Sequence, residues 1–272
     1  MKLIPDKELD RFLEELYLRY GYDFRGYSRP SLLRRVSRYL WDKKMMSQPT
    51  LWHGLFDKQG FLEEFLQQVT VNYSEMFRDP DFYRTIIEQV LDYLATFPSV
   101  RIWVAGCASG EEAYSFAIML KEAGIYHKCT IYATDISPHC LALARKGIFH
   151  MDMVKNYSRN YLLAGGKQEL SKYYTANYGK AQFDRSLGER IIFASHNLAE
   201  ESAFNSFQLI SCRNVLIYFD RELQHKVLEK FDRNIEGNGF LCLGTRETIQ
   251  FSSIKGHYKQ IADQKIYKKI YL

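Results

Sequence analysis

The chain has 272 residues, 46% hydrophobic and 25% charged, a globular balance that excludes a disordered, collagen-like or coiled-coil protein. Its 20 Tyr and 18 Phe supply a sizeable core, enough for one large domain or two modest ones. The net charge is a mild +5, no apolar run approaches the ~20 residues that span a bilayer, and residues 1–11 have no apolar signal core, so a soluble cytoplasmic protein is expected.

Residues 1–70 read as helical. Leu9, Phe12, Leu13, Leu16 and Tyr17 recur at helical spacing, and Gly21 ends that helix. Pro30 starts another, with Ser28 as its cap. Between Arg25 and Lys44 lie seven basic residues and a single acid, Asp42, a local charge of +6. At about 100° per residue, Arg34, Arg38 and Arg35 form a basic face. Leu32, Leu33, Val36, Tyr39 and Leu40 form an apolar one. A further helix covers 61–69. Residues 71–98 form a polar linker followed by a helix at about 81–96.

After Pro98 the pattern changes. Strands are predicted at 101–105, 128–134, 190–194, 207–212 and 239–244. Helices are predicted at 111–123, 138–146 and 221–235, and residues 258–271 close the chain with strand pairing. Strands alternating with helices imply a mostly parallel sheet covered on both faces. The region 151–189, rich in Tyr, Asn and Gly, interrupts the alternation with a small helix and a short antiparallel insertion at about 166–189. The five cysteines (Cys107, Cys129, Cys140, Cys212, Cys242) contain no CxxC pair and read as buried, reduced thiols.

The first strand runs into a turn with Gly106 and Gly110, where a bare backbone can approach a ligand at the carboxyl end of a sheet. Glu111 and Glu112 follow. Acids there disfavour phosphate and suit an amine-bearing ligand; the plain alternative is first-turn capping. Asp135 ends the second strand, 25 residues past Gly110, where an acid can hold a ribose. Its plain alternative is to cap the helix after Pro138. Together the two features favour an adenosine-containing ligand, and a nicotinamide cofactor stays open.

Four blocks resemble the CheR family of chemotaxis receptor methyltransferases. Residues 69–79, V-T-V-N-Y-S-E-M-F-R-D, are similar to that family's T-x-N-x-T-x-F-F-R segment. Residues 103–115 read W-V-A-G-C-A-S-G-E-E-A-Y-S. Residues 133–137 read A-T-D-I-S and are followed by L-A-R-K-G-I-F at 143–149. Residues 210–220, I-S-C-R-N-V-L-I-Y-F-D, are the most specific block. Ser74, Met76 and Ala113 depart from the family's usual Thr, Phe and Pro without removing a polar contact.

The resemblance implies a Rossmann-like class I S-adenosylmethionine (SAM) methyltransferase sheet over residues 99–272, behind a small all-helical receptor-docking domain at 1–70. It implies transfer of methyl groups from SAM to glutamate side chains of methyl-accepting chemotaxis receptors, with no metal. Asn72, Ser74 and Arg78 are implied at the methionine end of SAM, Glu112 at its amino group and Asp135 at the ribose. Asn197 and Leu198 flank the adenine, and Gly106, Arg213 and Asn214 lie beside the cofactor. Tyr218 lies near the transferred methyl. Arg78 and Tyr218 are the candidates for orienting cofactor carboxylate and substrate. The face carrying Arg34, Arg35 and Arg38 is the expected dock for an acidic helical substrate. In this family the inserted β-subdomain can grip a receptor's C-terminal tether; here the insertion is short, which leaves tether binding open. A monomer is the default. A nucleic-acid substrate is opposed by C-R-N-V-L-I-Y-F standing where an N-P-P-Y or D-P-P-Y motif is needed, and by the small net charge. A non-catalytic SAM-binding module is the remaining rival.

Overall fold

The structure, a computed structural model, describes residues 3–45, 52–71, 73–200 and 204–270. Helix α1 (Asp6–Tyr20) buries Leu9, Phe12, Leu13 and Leu16 and stops at Gly21, whose φ of 76° suits a residue without Cβ. Helix α2 (Arg29–Asp42) carries Pro30 in its first turn. The Ser28 hydroxyl does not cap it. Instead the Ser28 backbone N–H donates to the Tyr218 carbonyl at 2.7 Å, tying the start of α2 to a distant loop. Helices α3 (Trp52–Phe56), for which no periodicity was read, and α4 (Phe61–Val69) complete the helical layer. Its core is aromatic: the Phe65 ring lies 5.3 Å from Phe12, 5.4 Å from Tyr39 and 5.6 Å from Phe61.

The helix expected over 81–96 is two, α5 (Pro80–Gln89) and α6 (Leu91–Ala95), with Val90 between them at a stretched φ of −119°. Then follow β1 (Val100–Ala105), α7 (Glu111–Glu122), β2 (Cys129–Asp135), α8 (Pro138–Lys146), β3 (Ile148–His150) and α9 (Met151–Leu163). The strands β4 (Tyr174–Asn177), β5 (Lys180–Phe183), β6 (Ile191–Ser195) and β7 (Phe207–Cys212) come next. Helix α10 (Arg221–Asn234) and strands β8 (Ile235–Leu243), β9 (Tyr258–Ile261) and β10 (Ile266–Lys269) close the fold. The main sheet has the order β6-β2-β1-β7-β8-β10-β9, parallel from β6 to β8 and antiparallel through β10 and β9. This is the expected class I methyltransferase sheet. The smaller antiparallel sheet, β3-β5-β4, draws one strand from before the predicted insertion.

Alternation along β1 divides the core in two. Val100, Ile102 and Val104 face a layer with Phe116 and Tyr83, while Trp103 and Ala105 face one with Val227 and Phe231. All five cysteines are buried and free. Among the described residues, no helix is long and apolar enough to cross a membrane.

The order of β1, β2 and β7 makes a topological switch point, where parallel sheets bind ligands at their carboxyl ends. Because Phe65 is fully buried among rings from three helices, Phe65→Ala is expected to cost ~3–5 kcal/mol, read from the urea midpoint. Phe251→Ala, at a ring 86% exposed, should change it by less than about 0.5 kcal/mol.

Candidate active site

A cleft opens at that switch point, with Tyr27, Ser28, Ser31, Leu32 and Arg35 of the helical layer on one wall. Its floor is the turn after β1. Gly106 has φ 78°, and a Cβ there would meet Val215 Cγ2 at 2.4 Å, so both backbone shape and space demand glycine. Asp135 joins this turn to the next one. Its Oδ2 accepts from the Ala108 N–H and its Oδ1 from the Ser137 N–H, each at 2.9 Å. The α8 cap is Ser137, accepting from Cys140 N, so Asp135 is not a helix cap. Burial pushes the Asp135 carboxyl up, against the pull of these amides.

Glu111 and Glu112 diverge. Glu111 turns inward to Ser109 Oγ at 2.9 Å and Tyr157 Oη at 3.3 Å, and burial raises its pKa. Glu112 lines the cleft. Its Oε1 accepts from Ser211 Oγ at 2.6 Å and its Oε2 from Arg213 Nη1 at 2.9 Å. Arg213 is only 2% exposed at its side chain. Its Nη2 donates to Asp79 Oδ2 and to the Arg78 carbonyl, both at 2.8 Å, and its guanidinium lies 4.0 Å over the Phe82 ring. Arg213 lines the cleft while both of its Nη groups are engaged by protein partners and its buried Nε is not, so it also places Glu112 and the 78–79 segment.

Arg78 lines the cleft over the Tyr73 ring at 5.8 Å, and its guanidinium has no ion pair or hydrogen bond among the described residues. Arg35 also lines the cleft; it donates to the Thr70 carbonyl at 3.4 Å, and its buried Nε has no partner. Arg34 and Arg38 stand elsewhere, exposed to solvent. The predicted basic face thus splits: at ~100° from Arg34, Arg35 rolls off the exposed side and into the cleft. Ser74, Asn197, Leu198, Asn214 and Tyr218 all line the cleft. Asn197 Oδ1 also accepts from the Ala199 N–H at 3.0 Å, the turn contact that its plain reading implies. Asn72 lies outside the described residues. Tyr27 was not singled out in the sequence. It packs its ring 4.9 Å from Phe219, and only the fold brings the two together.

A family model described as CheR methyltransferase, SAM binding domain, matches residues 72–266, and one described as CheR methyltransferase, all-alpha domain, matches residues 7–70. The chain belongs to the CheR methyltransferase family. A Pseudomonas putida protein named Cher3 is 42% identical over 265 residues, covering 97% of each chain. A chemotaxis protein methyltransferase of Listeria monocytogenes is 30% identical over 251 residues, covering 91% of this chain and 93% of its own. One from Borreliella burgdorferi is 29% identical over 267 residues, covering 91% and 90%. This CheR-family chain is a methyltransferase with a SAM-binding domain.

Removing one member of a buried ion group leaves the others uncompensated. Arg213→Met in this CheR-family chain should therefore cost ~3–5 kcal/mol in denaturant unfolding. Lys226→Met, which removes a solvent-exposed ion pair with Glu222, should leave the unfolding midpoint essentially unchanged.

Proposed function

We propose that this protein methylates glutamate side chains in the cytoplasmic domains of methyl-accepting chemotaxis receptors, giving glutamate methyl esters and S-adenosylhomocysteine (SAH). The observation that carries the reading is the charge layout of one cleft. The carboxylates of Glu112 and Asp135 face it alongside two arginines, Arg78 and Arg35, that have no acidic partner. The names of the Listeria and Borreliella relatives support the chemotaxis setting.

SAM, when bound, supplies a sulfonium methyl group. Its amino acid end is zwitterionic, and the cleft offers Glu112 to the ammonium and Arg78, with Ser74, to the carboxylate. Asp135 accepts from the ribose hydroxyls. The bare backbone at Gly106 permits close approach, Asn197 and Leu198 border the adenine, and Asn214 lies alongside. An acceptor glutamate is already ionised at neutral pH, with a reference pKa of about 4.3. The chain therefore needs no general base; its task is to align carboxylate oxygen, methyl carbon and sulfur and to keep water out. Alignment of this kind supplies up to ~7–11 kcal/mol of a barrier. Tyr218 and Arg35 are the groups placed to orient the incoming carboxylate. Arg34 and Arg38, exposed and without ion pairs among the described residues, form the outer dock for an acidic receptor helix, which speeds encounter by charge attraction.

The deciding assay is transfer of labelled methyl from SAM to membranes carrying the organism's receptors. Base-labile label released as methanol is the expected product; base-stable label would overturn the ester, and SAM binding without transfer would leave a binding module. Reversing Arg34 and Arg38 to Glu should raise KM for the receptor several-fold with SAM affinity unchanged, and unchanged KM would remove the docking role. The Asp135 carboxyl sits above its ordinary value, so the acceptor charge is present at higher pH and lost as pH falls through that raised pKa. SAH affinity measured by calorimetry should therefore weaken on acidification. Asp135→Asn should bind SAH at least tenfold more weakly at pH 8 and lose most of this pH dependence.

A further inference from the structure

Glu247 is a heavily bonded carboxylate near the cleft that the scheme above does not use. It is 5% exposed and sits just past β8. Its Oε2 accepts from the backbone N–H groups of Asn214 at 3.0 Å and Gly244 at 2.6 Å. Its Oε1 accepts from those of Val215 at 2.9 Å and Ile217 at 3.3 Å. No cation pairs with it among the described residues, so four amide dipoles alone hold the charge. Burial still pushes the carboxyl up, because desolvation outweighs those four bonds.

The residue type follows from the donor count. Four converging N–H groups need acceptors only, and an ionised carboxylate is the one side chain that offers two oxygens and no donor. A glutamine would present an NH₂ to one pair of amides. A buried charge without a counter-ion is expensive, and a loop that needed only to be covered would be cheaper to close with apolar groups. Three of the four amides that Glu247 gathers, those of Asn214, Val215 and Ile217, belong to one loop, 213–218, and that loop puts Asn214 and Tyr218 into the cleft. Asn214 is in the left-handed region at φ 61°, a conformation that the bond to Glu247 holds. The other side of the loop is fixed by the Ser28 N–H on the Tyr218 carbonyl.

We propose that Glu247 is a positioning residue for methyl transfer: its carboxylate sets the 213–218 loop so that Asn214 and Tyr218 face the cofactor and the acceptor. This rests on the reading of Asn214 and Tyr218 as site residues. Two variants test it in the full chain. Glu247→Gln keeps size and removes two acceptor positions. Gly244→Ala attacks the same tie from the other side, since its Cβ would lie 2.8 Å from both Glu247 Oε2 and Asn214 N.

Active sites are counted by SAH titration, and kcat is expressed per SAH-binding site. The expected result is a fall in kcat of at least tenfold, receptor KM within twofold of wild type, and amide exchange of the 213–218 peptide at least tenfold faster while β7 is unchanged. A merely structural loss would reduce the number of SAH-binding sites and leave kcat per site within twofold, and that result overturns the proposal. If Glu247→Gln does not fold, Gly244→Ala decides by the same criteria. If the wild-type protein transfers no methyl to receptors, the substrate reading fails. Exchange of the 213–218 peptide and SAH affinity then still decide the role of Glu247, and no change in either overturns it.

Discussion

The cleft depends on one buried guanidinium. Arg213, just past the end of β7, meets two stretches of chain that are far apart in sequence: Glu112 at the start of α7, and the Arg78 carbonyl and Asp79 carboxylate ahead of α5. Burying a cation costs several kcal/mol after relaxation. Two carboxylates, a carbonyl and the face of Phe82 offset that cost here. The geometry leaves little freedom, because a planar fork must satisfy Glu112 on one arm and Asp79 on the other. Asp79 cannot shift without unpairing Arg213, and Arg78 is its neighbour. The position of the cleft's free arginine is thus fixed by a second arginine that is not free.

The same arrangement recurs at smaller scale around the rim. Four non-glycine residues beside the cleft take positive φ: Phe77, Asp79, Ala108 and Asn214. Each such conformation is disfavoured and persists only where surroundings enforce it. Each has its enforcing bond. Phe77 N–H donates to Ser115 Oγ at 2.9 Å, Asp79 accepts from Arg213, Ala108 N–H donates to Asp135, and Asn214 N–H donates to Glu247. Three of the four partners are charged groups. Buried charge in this fold is spent mainly on holding loops at the carboxyl ends of strands.

That pattern explains what was legible in the sequence. The ends of α4, α8 and β7 were readable to the residue, because local apolar period, Pro138 and Gly147 decide them. Asp135 and Glu112 were legible as acids at the carboxyl end of the sheet because they follow strand-to-turn transitions, and both line the cleft. Arg213 read as a residue beside the cofactor, and it lines the cleft; nothing in C-R-N shows that Glu112 and Asp79 also converge on it. Ser28 read as a cap for the same reason: its N–H partner is 190 residues away. Glu247, in G-T-R-E-T, carries no local signal; its role comes from amides that only the folded loop brings together. Arg35 could have been separated from Arg34 and Arg38, because the wheel already set it apart by about 60° or more. Local propensity locates elements, and tertiary hydrogen bonds assign the side chains between them.

The helical layer has a part in the site beyond shape. The Ser28 N–H and the Tyr27 ring clasp the 217–219 stretch, and Gly26 O accepts from the Asp220 N–H at 2.8 Å. A side chain at Gly26 would be tight, since its Cβ would press on Leu223 at 3.0 Å. Helix α2 starts immediately after this clasp, so the proposed dock at Arg34 and Arg38 lies one to three turns from the residue that holds Tyr218. A rigid helix transmits displacement over that distance with little loss. The loop that carries Tyr218 is thus tied to the start of α2 on one side and to Glu247 on the other. A loop held at both ends by groups of different domains is a place where remote binding energy can be converted into alignment at the reacting atoms.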